Sequence, residues 1–286
     1  MVNIGTDVKS RFLNYLAEQE YSAATIQKYG RNLDILTDYA GDFLEDKAHL
    51  NGFRQYLHEH GFSSGTINSI IGTVNKLFEY LKSTGEVESA WRMRYEKIQR
   101  RNFISSDNEL TQEEYERMVR QAQAIGNTRL ALLLQTICGL GIRVSEVQAI
   151  TAESLEEGQA IIRNKRKERK ILIPQLLVKK LKAYCASRNI TSGPIFITRT
   201  GKPLDRSNIW RMMKRIGEAA KVAANKVFPH NLRHLFARTY YKARNDIVAL
   251  AAILGHSSVD TTRIYTANSG QEEREHMNRL NLVFLS

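Results

Sequence analysis

Apolar residues recur at helical spacing along nearly the whole chain, and the pattern gives way to convincing strand-like alternation at one place. That place is residues 158–174, where GQAIIRN and RKILIP flank the charged segment Asn164–Arg169 and read as a β-hairpin. IFIT at 195–198 is a further short strand, with TGKP at 200–203 as a turn. No βαβ alternation and no internal repeat occur, which excludes a doubly wound dinucleotide-binding sheet. The expected fold class is mainly α with a small antiparallel β-sheet, in two domains.

The first hundred residues read as helices only. Asp7 or Thr6 caps a helix to about Glu20, and Ser22 opens a second carrying Ile26, Tyr29, Leu33, Leu36 and Tyr39. A third spans Asp46–Glu59, and a fourth runs from Ser63 or Ser64 to about Lys82. Connections are short, so residues 1–85 form one compact helical domain. Residues 86–108 change character: a polar turn, then the basic and aromatic WRMRYEKIQRRNF, then ISSDNEL, and they read as a linker. Residues 109–286 make the second domain, with Asp107 or Thr111 capping its first helix. Further helices are expected at 127–140, 207–220, 231–243, 247–254 and 261–266.

Charge separates the two halves. The chain carries a formal +12, yet residues 1–103 hold 13 basic and 13 acidic side chains, leaving 29 and 17 for the remainder. The excess therefore sits wholly in the C-terminal two thirds and points to a polyanionic partner. No apolar run approaches the roughly 20 residues of a membrane span, and the N-terminus is unlike a secretory signal. Cys138 and Cys185 lack metal-ligand spacing and read as reduced core residues of a cytoplasmic protein.

Four segments carry chemistry-bearing residues: GLGIRVSEVQAI with Arg143, the hairpin NKRKERKILIP, PHNLRHLFAR with His230 and Arg233, and LGHSSVDTTRIYT with His256 and Tyr265. Each alone is weak. An isolated arginine is ordinarily a surface residue, a basic hairpin tip a solvated turn, and a tyrosine in TTRIYT half-buried core. Together and in this order they resemble the tyrosine recombinases, the family of phage-lambda-type integrases and Xer recombinases. That family reads Arg, a hairpin Lys, His-x-x-Arg, His or Trp, and Tyr nine residues later. Arg143 fits the first arginine, with Glu146 as an acidic helper. PHNLRH fits through His230, Leu232, Arg233 and His234, and LGHSSVDTTRIY fits from Leu254 to Tyr265. The hairpin departs from the family's Gly-Lys-Gly-x-Lys. Here Asn164-Lys165-Arg166-Lys167 is one residue shorter and lacks both glycines, so Lys165 is the first choice for the lysine and Lys167 its competitor.

The resemblance implies the chemistry. Arg143 and Arg233 would clamp a scissile DNA phosphate bidentately, as a lysine could not. Tyr265 would attack it and form a 3′-phosphotyrosine, with His230 as base or orienter, His256 as a donor to the phosphate and Lys165 protonating the 5′-oxygen. Bond energy is conserved, so no cofactor, ATP or metal is expected. The implied partners are double-stranded DNA with an inverted-repeat core site, and three further copies of the chain in a tetramer on two sites. The apolar tail NRLNLVFLS, with Leu280, Leu282, Val283, Phe284 and Leu285, could close the chain's own core, but the resemblance favours its exchange onto a neighbouring copy, which would join the copies. Accessory proteins stay open, no membrane is involved, and the setting is cytoplasmic, bacterial-type and nucleoid-associated. Residues 1–85 are similar to the family's core-binding, SAM-like domain, in which Thr25, Lys28, Arg31, Asn68, Thr73 and Lys76, together with Lys167 on the hairpin, are candidate DNA contacts. A type IB topoisomerase and a noncatalytic DNA-binding protein are the alternatives. Integration or excision and dimer resolution are not distinguished.

Overall fold

The computed structural model describes residues 1–97, 108–164, 167–256, 258–262, 265 and 278. Asp107, Lys165 and the tail at 280–286 lie outside the described residues. The chain divides into two compact units, Met1–Arg100 and Arg101–Ser286.

The first unit runs β1 (Val2–Asn3), α1 (Thr6–Glu18), α2 (Ala23–Ala40), β2 (Phe43–Leu44), α3 (Lys47–Glu59) and α4 (Ser64–Ser83). Ser22, Asp46 and Ser63 cap α2, α3 and α4, each side-chain oxygen accepting a backbone N–H of the first turn. Helix α1 differs from expectation: Gly5 is its N-cap and Thr6 already belongs to the helix. The antiparallel pair Val2↔Leu44 and Asn3↔Phe43 is also absent from the all-helical expectation, because two-residue strands are too short to show alternation. Phe12, Leu36, Phe53, Ile70, Val74 and Phe78 are fully buried in the unit's core.

Residues 86–97, read above as linker, pack on this unit. Asn75 receives the Met93 N–H at 2.8 Å and donates to its carbonyl at 3.0 Å. Asn68, two turns earlier, treats Glu96 the same way at 2.7 and 3.0 Å. Both amides thus act as backbone mimics that grip an extended strap, and Trp91 stacks on Phe78 beside it. This changes the candidate DNA-contact set. Thr73 is fully buried, with its hydroxyl accepting from Asn32 at 2.8 Å, so it does not face solvent. The Asn68 amide is spent on the strap. Helix α4 is covered around most of its circumference, and a polar residue on such a helix need not be a surface residue. Lys28 and Arg31 are exposed, while Thr25 and Lys76 are partly covered.

The second unit comprises α5 (Gln112–Ala124), α6 (Thr128–Leu140), a 3₁₀ turn (Val144–Ala149), α7 (Ala152–Glu156), β3 (Gln159–Asn164), β4 (Lys167–Leu172), α8 (Gln175–Ser187), α9 (Arg206–Ala219), α10 (Pro229–Arg244), α11 (Ile247–Leu254) and a 3₁₀ turn (Val259–Thr261). Thr111 and Glu114 close a reciprocal capping box on α5. Helix α6 is buried nearly all round and packs against α5, α8 and α10, forming the unit's axis. It stops at Gly141, whose φ of 60° suits glycine. A Cβ there would also collide with the Phe236 ring of α10.

The hairpin forms as expected, with Ile162 opposite Arg169 and Asn164 opposite Lys167. Residues 195–198 do not form a strand; a single bridge, Ile197↔Pro203, closes the turn. Helix α8 had no sequence expectation attached to it. The last expected helix, 261–266, is replaced at its start by the 3₁₀ turn Val259–Thr261, while 263, 264 and 266 lie outside the described residues. No helix among the described residues is long and apolar enough to cross a membrane.

Candidate active site

Three backbone breaks deliver the site. Gly141 ends α6 and sends the chain into the 3₁₀ turn whose N-cap is Arg143. Pro229 starts α10, which carries His230 near its mouth and Arg233 one turn further in. Gly255 ends α11 in the left-handed conformation and hands the chain to His256.

Arg233 is the centre. Only 1% of it is exposed, the least of any charged residue in the core. Its Nη1 donates to the Gly141 carbonyl at 2.8 Å, and its Nη2 to the Leu254 carbonyl at 2.7 Å and to His256 Nε2 at 3.0 Å. The guanidinium therefore ties together the two glycine-terminated helix ends. His256 Nδ1 meets the buried Thr262 hydroxyl at 2.8 Å, which fixes the ring plane. Arginine can only donate, so His256 Nε2 accepts from Arg233 and its Nδ1–H donates to the Thr262 hydroxyl.

Arg143, about one third exposed, donates from Nη1 to Glu146 Oε1 at 2.9 Å and from its backbone N–H to Oε2 at 2.8 Å. Glu146 is buried, and its other lone pairs accept Arg169 bidentately at 3.1 and 2.7 Å. Burial opposes its charge, but the arginine hydrogen bonds prevail and hold the carboxyl below its ordinary range.

Tyr265 is buried among Ala237, Leu250 and Leu254. Its ring stacks with His256 at 6.3 Å and meets His234 edge-on at 5.1 Å, while His234 in turn meets His230 at 4.5 Å. Burial raises the phenol pKa; Arg233 and Arg143 pull it down and only partly offset that rise.

The electrostatics have one sign. Three guanidiniums and one carboxylate leave a net positive site in a partly dehydrated cleft. Burial, then repulsion from Arg143, lowers Arg233 to about 10. Burial is also the leading cause at the histidines, followed by neighbouring positive groups. His234 and His256 fall to about 4, and His230 is lowered too, with Arg233, Arg143 and Arg206 behind the shift. A cleft that depresses Arg233 and all three of its histidines is arranged to receive an anion.

That arrangement has a pH consequence. In the unfolded chain these histidines titrate near 6.5. Between about pH 6.5 and 4 the unfolded state therefore binds protons that the folded site refuses, so stability falls as acid is added. Glu86, held to about 2 by Arg11, loses its contribution in a separate window below 4.5. The melting temperature should drop between pH 6.5 and 4.5, and a His234→Asn/His256→Gln variant should lose most of that drop. An unaltered slope in the variant would contradict the assignment.

Arg143, Glu146, His230, Arg233, His234, His256 and Tyr265, all singled out in the sequence, converge here. Lys165 lies outside the described residues, and Lys167 is placed by its backbone at the start of β4. Two members were missed. Arg169 was read as part of a charged tip, yet it turns inward, and only its place opposite the apolar Ile162 hinted at that. Thr262 stood in the motif without a role.

Comparisons with known proteins identify the family and the fold. The Phage integrase family profile matches residues 108–272, and the phage integrase N-terminal SAM-like domain matches residues 10–85. The tyrosine recombinase XerA of Thermococcus kodakarensis is 30% identical over 286 residues, covering 97% of this chain and 96% of that protein. XerD of Halalkalibacterium halodurans is 25% identical, covering 90% and 91%. Among solved structures, XerH recombinase bound to palindromic difH has a TM-score of 0.74 at 23% identity, covering 91% of this chain and 80% of that one. A lambda integrase tetramer on a Holliday junction has a TM-score of 0.73 at 19% identity, covering 91% and 76%. These last two establish the fold, and the matched profile spans more than half of the chain. The chain belongs to the phage integrase family, the tyrosine recombinases.

Proposed function

We propose that this chain recombines duplex DNA at a specific site, with Tyr265 as nucleophile and the Arg143–Arg233 pair as its phosphate clamp. One observation carries the reading: a buried tyrosine packs against two histidines beside an arginine cluster that has a surplus of positive charge. A phosphodiester supplies the missing anion. The Tyr265 hydroxyl attacks phosphorus, the bond to the 5′-oxygen breaks, and a 3′-phosphotyrosine forms. His230 takes or orients the phenolic proton, and Lys165 or Lys167 protonates the departing 5′-oxygen. Arg143 and Arg233 stabilise the charge that accumulates on the non-bridging oxygens. His256 donates to the same oxygens from Nε2 once Arg233 turns its Nη2 from that nitrogen to the phosphate and Thr262 takes the role of donor at Nδ1. Rejoining to a second strand runs these steps in reverse.

Residues 1–85 and 109–286 would act as two domains on the DNA, with Lys28, Arg31 and Lys167 as the contacts best supported by exposure or position. A tetramer on two inverted-repeat sites, joined by exchange of the 280–286 tail, is the assembly proposed, acting in the cytoplasm on nucleoid DNA. The test is selection of covalently trapped duplexes from a nicked library with a randomised core, followed by strand exchange between two recovered duplexes. Recovery of one dominant core and recombinant product is the expected result. Adducts without sequence preference, accompanied by plasmid relaxation and no recombinant, would instead indicate a type IB topoisomerase.

A further inference from the structure

The residue Arg169 is unaccounted for by the chemistry above, although it is among the most heavily engaged side chains of the second unit. It leaves β4 on the inner face, only 13% of its side chain exposed, and makes three charge-assisted hydrogen bonds. Two go to Glu146, one per carboxylate oxygen, and the third runs from Nε to the Ile253 carbonyl at 3.0 Å. Its stem passes beneath Gly255 so closely that a Cβ there would lie 2.8 Å from Arg169 Cδ. Arg169 therefore touches three segments at once: the 3₁₀ turn that presents Arg143, the end of α11 that presents His256, and the strand of the hairpin.

We propose that Arg169 is a positioning residue that fixes the hairpin, and with it the leaving-group lysine, to the phosphate clamp and the nucleophile segment. The proposal rests on the reading that Lys165 or Lys167 is the general acid. Arg143 does not need Arg169 for its own placement, because its two bonds to Glu146 close within a single 3₁₀ turn. The base of the hairpin is held in the core by Ala160, Ile162, Ile171 and Ile173, but β3 and β4 pair only with each other, as a two-stranded sheet. Such a pair is marginally stable by itself, and beyond these apolar anchors Arg169, opposite Ile162, holds the end of β4 nearest Lys167. Arg169 lies two residues after Lys167 and four after Lys165. The anchor suits arginine specifically, since a fork reaches both carboxylate oxygens while its Nε reaches a third acceptor, whereas an ammonium provides one point. It also explains the glycine before His256: a side chain there would push the guanidinium off Glu146.

The step affected is protonation of the 5′-oxygen, and a chemical substitution isolates it. A 5′-bridging phosphorothiolate leaves as a thiolate that needs no proton. Arg169→Met should slow cleavage of the ordinary selected duplex by about 10²-fold, the loss expected when a general acid is misplaced. It should cleave the phosphorothiolate duplex at close to the unsubstituted rate. Arg169→Lys, which keeps the charge, guards against a fold defect in the first variant and should show a smaller loss with the same relief by sulfur. Equal loss on both substrates in a variant that melts like the unsubstituted protein would overturn the proposal, as would no loss at all. Lys165→Ala and Lys167→Ala provide the separate arm. If sulfur relieves neither, the lysine reading fails, and the coupling fails with it; if it relieves one of them but not the Arg169 variants, only the coupling is wrong.

Discussion

Tyr265→Phe should abolish covalent DNA adducts completely while leaving the protein folded and bound to its site. The substitution removes one oxygen and nothing else. The ring keeps its burial against Ala237, Leu250 and Leu254 and its contacts with His234 and His256. The hydroxyl contributes at most about one hydrogen bond's worth, roughly 1 kcal/mol. By contrast, Tyr265→Ala would remove a buried aromatic ring and cost about 3–5 kcal/mol, so its loss of activity would be uninterpretable. Adduct formation on denaturing gels, band shift on the selected duplex and thermal melting together make the check. Adducts that survive in the phenylalanine variant would mean that another group attacks. A melting temperature that falls as far as in the alanine variant would mean that the hydroxyl holds the fold.

Much of this site was legible in the sequence, for a physical reason. Arg143, His230 and His256 occur where the chain also breaks its helices, and Gly141, Pro229 and Gly255 mark those breaks openly; Arg233 and Tyr265 are found by their spacing from these. The helical framework was equally readable, because α2, α3 and α4 carry both an apolar stripe and a capping side chain. What the sequence concealed were polar residues used inside. Asn68, Thr73 and Asn75 look like the solvated face of a helix, yet two grip a backbone strap and the third is sealed in the core. Arg169 sits in a run of six charged residues, 165–170, and has the composition of a solvent-exposed turn; only tertiary contact with Glu146 and the end of α11 sets it apart. Periodicity reports which residues avoid water. It does not report which polar residues have found partners elsewhere in the chain, and those are the residues that position this site.

Arg233→Met should be modest in its effect on stability and severe for cleavage, a combination that separates a catalytic charge from a structural one. Arg233 is lowered from 12.5 to about 10, so keeping it charged near neutral pH costs the folded protein about 3 kcal/mol. Methionine removes that cost and fills much of the same volume. Against this stand the Gly141 and Leu254 carbonyls, which lose their donors at about 1–3 kcal/mol each. The opposing effects are of similar size, so the net change should stay within about 3 kcal/mol, although the buried side chain is large. Cleavage should fall by at least about 10²–10³, because the lost guanidinium is one half of the phosphate clamp. Arg233→Lys should also fail to restore the rate, since one ammonium cannot hold two carbonyls and a phosphate in a plane. Phosphate or sulfate should raise the melting temperature of the unsubstituted protein and have a much smaller effect on Arg233→Met, because anion binding relieves the repulsion from Arg143 that the variant no longer experiences. A large loss of stability together with full retention of the anion effect would make Arg233 a structural brace between two helix ends and leave the clamp to Arg143 alone.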